Sequence, residues 1–324
     1  MAVDNASIHL ENVNGKILQK FNWVGKVSKN GIQYWEFYIQ NTFNLNKGKN
    51  YLLKLTLKKD NDKKSYKLII QNSLRKWYFN KNGKRDLYKL ELWDCIFKLS
   101  IILGISFEEI LNAKLTKLEI GFTVPLKAMY RKMQDGLYFY KRLEKWTFEE
   151  TTYFGNKNCS YHLKFYDKLA ECYKNTNNAK HLVELNKKIY FMRFEVSINK
   201  ISKVAFYKKN TSTFKNLFSN WDIVMNEVYQ TAEKVNYIDW MSEFKTTKIE
   251  TNTQLENENY YLGIKTKGLQ TIIEQIKNLK SNNKTYYRRK IEKFIKENSR
   301  GKYKNLQTNF LSKLNKKIGV VSKN

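Results

Sequence analysis

One proline, three histidines and three cysteines stand among 324 residues, and each scarcity closes a route. Cys95, Cys159 and Cys172 are odd in number and form no Cys-x-x-Cys pair. That excludes a disulfide framework and a thiolate zinc site, and it points to a reducing cytoplasm. His9, His162 and His181 make no His-x-His or His-Glu-x-x-His pattern, which disfavours a histidine metal site. Neither Gly-rich phosphate loop occurs, so a nucleotide-driven motor and a dinucleotide enzyme are disfavoured. No apolar run approaches a membrane span, and the N-terminus carries no signal-peptide pattern. Acidic residues are scarce too: 30 Asp and Glu face 60 Lys and Arg, for a formal charge of +30.

That excess predicts an anionic partner, with a polyphosphate as the default. A Lys/Asn-rich background inflates lysine at surface positions, so the charge alone is weak. A membrane surface is the poorer choice of anion, since no strongly amphipathic basic helix stands out. Hydrophobic residues are 42% of the chain, enough for a core. Aromatics reach 15%, with 22 Tyr and 19 Phe. Most of these belong in a core; some, among basic residues, suit stacking on unpaired bases.

Hydropathy periods divide the chain. Residues 32–40 alternate strictly, and 51–58 with 65–71 read as a hairpin around a polar turn. Another strand is expected near 76–79. Residues 90–103 have helical spacing, with Leu90, Trp93, Ile96, Phe97, Ser100 and Ile101 on one face and Gly104 as the stop. Ser106-Phe-Glu-Glu109 is a capping-box pattern. An apolar strand over 114–124 is closed by Pro125, and a helix is expected over 126–134. Residues 175–178 read as a loop, followed by a short helix and a strand over 188–198. From Thr213 helices dominate: 213–219, 221–234, 237–244, 269–279, 284–297 and 305–316. Residues 245–259 are polar and without period, a linker pattern. The expected architecture is α+β, a central antiparallel sheet with helices packed on it. A β-rich domain covers 1–205, and a helical, basic region covers 206–324.

Residues 151–171 concentrate the chemistry. They read as a strand over 151–154, a turn at Gly155-Asn156, a strand over 161–166 and a helix start. Alternation puts Tyr161, Leu163 and Phe165 on one face and His162, Lys164 and Tyr166 on the other. Asp167, Lys168 and Glu171 follow at once. Glu119 and Glu195 each lie in an otherwise apolar strand, where an unpaired carboxylate is costly. Ion pairing accounts for each as well as function does: Lys117 or a neighbouring-strand cation for Glu119, Arg193 for Glu195. Taken with Glu171 or Asp167, they make an oxygen-ligand site for Mg2+ or Mn2+. A lone strand histidine such as His162 is more often structural than a base. Tyrosine attacks a phosphodiester poorly unless a metal polarises the phosphate and cations stabilise the developing charge. Lys164 and Lys168 flank Tyr166, although with 22 tyrosines an ordinary half-buried strand tyrosine is the plain alternative.

The string Thr151-Thr-Tyr-Phe-Gly-x3-Cys-x4-Lys-Phe-Tyr166-Asp-Lys-x2-Glu171 resembles the nucleophile motif of rolling-circle plasmid replication initiators and related conjugative relaxases. Two more motifs follow the family's order. Leu115-Thr-Lys-Leu-Glu119-Ile-Gly-Phe-Thr123 is similar to its upstream metal-binding strand, and Phe191-Met-Arg193-Phe-Glu195-Val to its downstream strand. Filamentous-phage replication proteins look similar in the last two. The resemblance covers about 50–200 of this chain. It departs in four ways: Glu119 replaces Asp, Thr123 stands where a second acid would be, Cys159 replaces Ser, and Lys157 and Lys164 replace Arg. Those lysines keep the charge but lose the bidentate fork.

The resemblance implies a DNA-nicking endonuclease and strand transferase acting at a replication origin. Tyr166 attacks one phosphodiester, giving a covalent 5′-phosphotyrosine and a 3′-OH for a host polymerase. Glu119, Glu195 and Glu171 hold Mg2+ or Mn2+, Lys164 and Lys168 stabilise the phosphate, and His162 and Asp167 assist. Lys157 and Arg193, with Arg288, Arg289 and Lys290 of the basic helical region, contact DNA. An origin duplex with an exposed single strand is the partner, with a host helicase and a second copy of the chain as further ones and no membrane. The alternatives are a non-catalytic binder of single-stranded DNA or RNA that keeps the fold, and an RNA-processing nuclease that uses the same carboxylates without a covalent step.

Overall fold

Alternation in the first 200 residues builds strands, and the strands line up antiparallel in one sheet. The structure, a computed structural model, describes residues 2–44, 51–59, 65–127, 137–141, 143, 145–149, 151–155, 158–173, 189–237, 249–267, 269–279, 283–298 and 304–323. The strands are β1 (Ala2–Val13), β2 (Val24–Val27), β3 (Gln33–Ile39), β4 (Leu53–Lys59), β5 (Tyr66–Ser73), β6 (Lys114–Lys127), β7 (Leu137–Phe139), β8 (Lys145–Phe148), β9 (Thr151–Phe154), β10 (Tyr161–Asp167), β11 (Ile189–Ile198) and β12 (Asn236–Tyr237). Ten of them form a sheet in the order β2-β3-β4-β5-β1-β6-β11-β10-β9-β8. β7 and β12 pair separately. The fold is α+β.

Helices fill the connections: α1 (Ile17–Lys20), α2 (Leu74–Phe79), α3 (Lys89–Leu103), α4 (Phe107–Asn112), α5 (Lys168–Tyr173), α6 (Ala205–Thr211), α7 (Phe214–Ser219), α8 (Trp221–Glu233), α9 (Asn252–Lys267), α10 (Leu269–Lys277), α11 (Lys284–Asn298) and α12 (Lys304–Lys323). By contacts the chain divides into two compact units, one of 1–130, 139–235 and 310–324, the other of 131–138 and 236–309. The change of period near residue 205 falls inside the first unit.

One face of the sheet is apolar and closed. Leu55 and Leu57, Leu68 and Ile70, Ile8 and Leu10, Leu118 and Ile120, Phe194 and Val196, and Leu163 and Phe165 are all buried on it. Its cover includes helices that follow in the chain. The Tyr161 ring meets Tyr207 of α6, the Tyr161 hydroxyl donates to Thr231 of α8 at 3.2 Å, and Phe165 packs against Phe310 of α12. In the second unit, Ile291 and Phe294 of α11 are buried beneath Tyr260 and Tyr261 of α9 and Ile272, Ile273 and Ile276 of α10.

Several expectations are corrected. Residues 76–79 are helical, because the Ser73 hydroxyl caps α2 by accepting from the Lys76 amide at 3.0 Å. On α3 the expected inner face lies mostly outward: Leu90, Trp93, Phe97 and Ile101 are exposed, whereas Leu92, Cys95, Ile96, Leu99, Ser100 and Leu103 are buried. Pro125 does not end β6, since it pairs opposite Phe191 and the strand runs on to Lys127. The helix expected over 126–134 therefore begins in strand, and 128–134 lie outside the described residues. The polar stretch read as a linker enters α9 at Asn252. Thr251 and Gln254 cap that helix reciprocally: Gln254 N–H donates to Thr251 Oγ1 at 3.2 Å, and Thr251 N–H donates to Gln254 Oε1 at 2.9 Å. The expected loop at 175–178 and most of the helix expected at 237–244 lie outside the described residues, while Tyr237 belongs to β12.

Candidate active site on the polar face of the sheet

Three neighbouring strands, β6, β11 and β10, carry the three motifs, and their register brings the motif residues side by side. Glu119 pairs opposite Ser197, Gly121 opposite Glu195, and Thr123 opposite Arg193. On the next ladder, Ser197 faces His162, Glu195 faces Lys164, and Arg193 faces Tyr166. Directly opposed strand residues share a face. All nine therefore lie on the side away from the apolar core.

The Lys164 ammonium sits between the two glutamates. It donates to Glu119 Oε1 and lies 3.4 Å from Glu195 Oε2. Burial pulls the lysine down, but Glu195 and Glu119 outweigh it and hold Lys164 above its usual range. Glu119 also accepts from Ser197 Oγ at 2.5 Å and from the Asn5 amide. The Tyr166 hydroxyl donates to Glu195 Oε1 at 2.9 Å. Burial, with Glu195 beside it, raises the phenol well above its normal value, so it keeps its proton at neutral pH. Burial would raise Glu195, but Lys164 and Arg193 bring it down to about 2.

Arg193 ties the cluster together and touches no solvent. Its Nε donates to Glu195 Oε1 at 2.5 Å. One terminal nitrogen donates to Asp86 Oδ1 and Thr123 Oγ1, each at 2.9 Å, and the other to Asp4 Oδ2 at 2.9 Å. The expected DNA contact by Arg193 is corrected accordingly: a fully buried guanidinium with all three nitrogens engaged orders the site from within. Gly121 makes room for this arrangement. A Cβ there would stand 2.7 Å from Glu195 Cγ and 2.9 Å from Arg193.

Two acids escape the sequence motifs. Asp86 accepts from the Thr123 amide at 3.1 Å and from its hydroxyl at 3.3 Å. A carboxylate from another segment thus stands at the position where Thr123 breaks the motif. Asp4 arrives through a bulge in β1. Two residues, Asp4 and Asn5, lie between the pairs Val3–Ile120 and Ala6–Leu118, opposite the single residue Glu119. Such an insertion re-aims side chains. Here Asn5 reaches Glu119, and Asp4 reaches Arg193, Arg75 and Ser73.

The remaining expected residues divide. Lys168 is buried, donates to Glu171 Oε2 at 2.5 Å and Asn82 Oδ1 at 3.2 Å, and lies 5.8 Å from the centre of the Tyr166 ring. Burial and the nearby Arg193 lower it. Glu171 is taken up by Lys168, Lys76 and Asn82, so it stands in a cluster of its own beside the Glu119–Glu195 pair. Asp167 caps α5, accepting from the Leu169 amide at 2.9 Å. His162 Nδ1 lies 3.2 Å from the Asn199 side-chain nitrogen, and burial, then Lys164, lowers the imidazole to about 4. Lys157 lies outside the described residues. On α11, Arg288 and Arg289 are exposed, Arg288 pairing with Glu292 at 3.0 Å, and Lys290 pairs with Glu256 at 2.6 Å.

The space between Glu119 and Glu195 suits a cation, and a lysine ammonium fills it. Four carboxylates (Asp4, Asp86, Glu119, Glu195) already meet Arg75, Arg193, Lys164 and Lys317. Among the described residues no three acidic, histidine or cysteine side chains are grouped to hold a metal. As arranged, the donor set does not fit a divalent cation; one would first have to displace Lys164. What the arrangement offers directly is a phenol hydrogen-bonded to a carboxylate, with an ammonium beside both.

No protein-family model matches the sequence, and no curated protein matches it. Among solved structures, the rolling circle replication initiator protein from Geobacillus stearothermophilus aligns with 78% of this chain and 89% of its own. The identity is 11% and the TM-score 0.33. A superposition that loose decides neither fold nor function.

Proposed function

We propose that this chain is a rolling-circle replication initiator that nicks and rejoins one DNA strand at an origin through Tyr166. The observation that carries the reading is the Tyr166–Glu195 hydrogen bond, at 2.9 Å, with Lys164 bridging Glu195 to Glu119. A core tyrosine needs no such setting, whereas a nucleophile needs a proton acceptor and a cation near the phosphate.

In this reading Tyr166 Oη attacks phosphorus and the bond from phosphorus to the 3′ oxygen breaks. The phenolic proton passes to Glu195, and the carboxyl returns it to the departing 3′ oxygen. One phosphate ester is exchanged for another, so the same groups serve rejoining. Glu195, brought down to about 2, is a weak base. The proton therefore moves only as the new bond forms, and the carboxylate chiefly aims the phenol. Lys164 offsets charge on the phosphate.

The test is a supercoiled plasmid carrying the candidate origin. Wild type yields open circles and a protein–DNA adduct that survives denaturing electrophoresis. Tyr166→Phe yields neither, while its DNA binding is unchanged. A wild type that nicks no candidate origin, or a variant that nicks equally well, overturns the reading. One observation favours a second reading, a single-stranded DNA or RNA binder without chemistry: both glutamates are already neutralised by Lys164 and Arg193. That reading predicts binding with no adduct under any metal condition.

A further inference from the structure

The row of residues through Lys164 continues to the sheet edge. Lys164 pairs opposite Tyr153 of β9, and Tyr153 pairs opposite Trp146 of β8, the last strand of the sheet. Opposed residues share a face, so both aromatic rings stand on the face of Tyr166. They are stacked, with ring centres 4.0 Å apart and planes 7° from parallel. Trp146 is fixed further: its indole N–H donates to the Gly155 carbonyl at 2.7 Å. Gly155 holds the turn between β9 and β10 with a φ of +86°, a conformation that favours glycine. Both rings remain half-buried, leaving ring surface to solvent.

This placement has no counterpart in the nicking chemistry. A stacked Trp–Tyr pair adds nothing to proton transfer. Strands lie roughly 4.8 Å apart, so Tyr153 is one step and Trp146 two steps from Lys164, roughly 5 and 10 Å. That is the reach of a nucleotide beside the attacked phosphate. Aromatic faces next to cationic groups hold unpaired bases irrespective of sequence, because every base has a π-face. The chain's +30 charge suits a polyanionic occupant.

We propose that the Trp146–Tyr153 stack is a platform for an unpaired base of the DNA strand whose phosphate faces Tyr166. The proposal rests on the nicking reading for the identity of that strand, but its binding test does not need cleavage. The full chain carrying Tyr166→Phe is titrated with a single-stranded origin oligonucleotide bearing 2-aminopurine at successive positions. One or two positions beside the expected nick are quenched. Trp146→Ala in the same background abolishes that quenching and weakens single-strand binding roughly tenfold, the loss of one base stack. Tyr153→Ala gives a smaller loss in the same direction. Trp146→Phe, which keeps a π-face, restores most of the affinity. Binding to the fully paired duplex is unchanged in all three, and Trp146→Phe, which loses the donor to the Gly155 carbonyl, melts slightly lower but remains folded.

Equal single-strand affinity for Trp146→Ala and its parent overturns the platform, as does an equal loss on duplex, which would mark a merely structural stack. An RNA oligonucleotide of the same sequence that binds more tightly, with the larger loss on Trp146→Ala, makes RNA the occupant and overturns the assignment to DNA. If no origin is nicked by wild type yet the Trp146-dependent quenching appears, the platform stands and the nicking reading falls.

Discussion

At the scale of the residue, the decisive side chain is Lys164. A lone buried carboxylate is expensive, and here two of them, Glu195 on the neighbouring strand and Glu119 one strand further, share one ammonium. Lys164→Gln removes the cation and leaves both acids in place. The variant loses about 3 kcal/mol or more of stability in a denaturant titration, the usual cost of breaking one side of a buried pair. It also opens the gap that a divalent cation requires. We expect Mn2+ or Mg2+ to raise the melting temperature of Lys164→Gln and to leave wild type little changed, since a ligand that binds only the folded state stabilises it. Equal stabilisation of both would place the cation elsewhere. His162 gives a pH signature on the same face. The folded protein takes up its proton only near pH 4, the unfolded chain near 6.5. Unfolding therefore binds a proton within that window, and stability falls as pH drops through it, by on the order of 2 kcal/mol. His162→Gln flattens this slope between pH 6.5 and 4, while the losses tied to Glu195 and Asp4 persist at lower pH. Parallel curves for variant and wild type would refute the assignment.

At the scale of the element, alternation was the readable signal. The strands expected over 114–124, 151–154, 161–166 and 188–198 stand as β6, β9, β10 and β11, and with them the shared face of His162, Lys164 and Tyr166, although β6 runs on past Pro125. Register followed less directly, because pairing of distant strands leaves no mark in local sequence. Glu119's partner is accordingly Lys164, two strands away, and not the adjacent Lys117. Asp4 was invisible for a different reason: it reaches the site through a bulge, which breaks the period that would have announced it. Asp86 sits in a connection, where period says nothing. The outward face of α3 misled because that helix is apolar nearly all round. Leu90, Trp93, Phe97 and Ile101 give one stripe, Leu92, Ile96, Leu99 and Leu103 another, and the packing chose the second. This choice is measurable. Leu92→Ala, with no exposed surface to begin with, costs about 2–5 kcal/mol. Leu90→Ala, 67% exposed, changes stability by less than about 0.5 kcal/mol. Comparable losses at the two positions would show that α3 buries its other stripe.

At the scale of the whole molecule, charge and chemistry are distributed differently. In the first unit the acids around Tyr166 are matched by cations on neighbouring strands. The second unit presents Arg288 and Arg289 on exposed positions of α11, a helix held by a small core of Ile291 and Phe294. The i,i+4 pair of Arg288 with Glu292 is solvent-exposed and holds the arginine only weakly. Guanidinium groups so placed suit phosphates, and we propose that this unit contacts the origin duplex while the first unit works on the exposed strand. Each phosphate contact releases counterions and steepens the dependence of affinity on salt by about 0.9 in log–log slope. Arg288→Ala and Arg289→Ala should each reduce that slope by about this amount for duplex DNA. The loss should be the same for origin and unrelated sequences, because a phosphate contact reads no base. If the chain nicks through Tyr166 as proposed, cleavage of a short single-stranded oligonucleotide should be unaffected. A loss confined to the origin sequence would instead mean that one of these arginines reads a base edge, and an unchanged slope would take α11 off the DNA altogether.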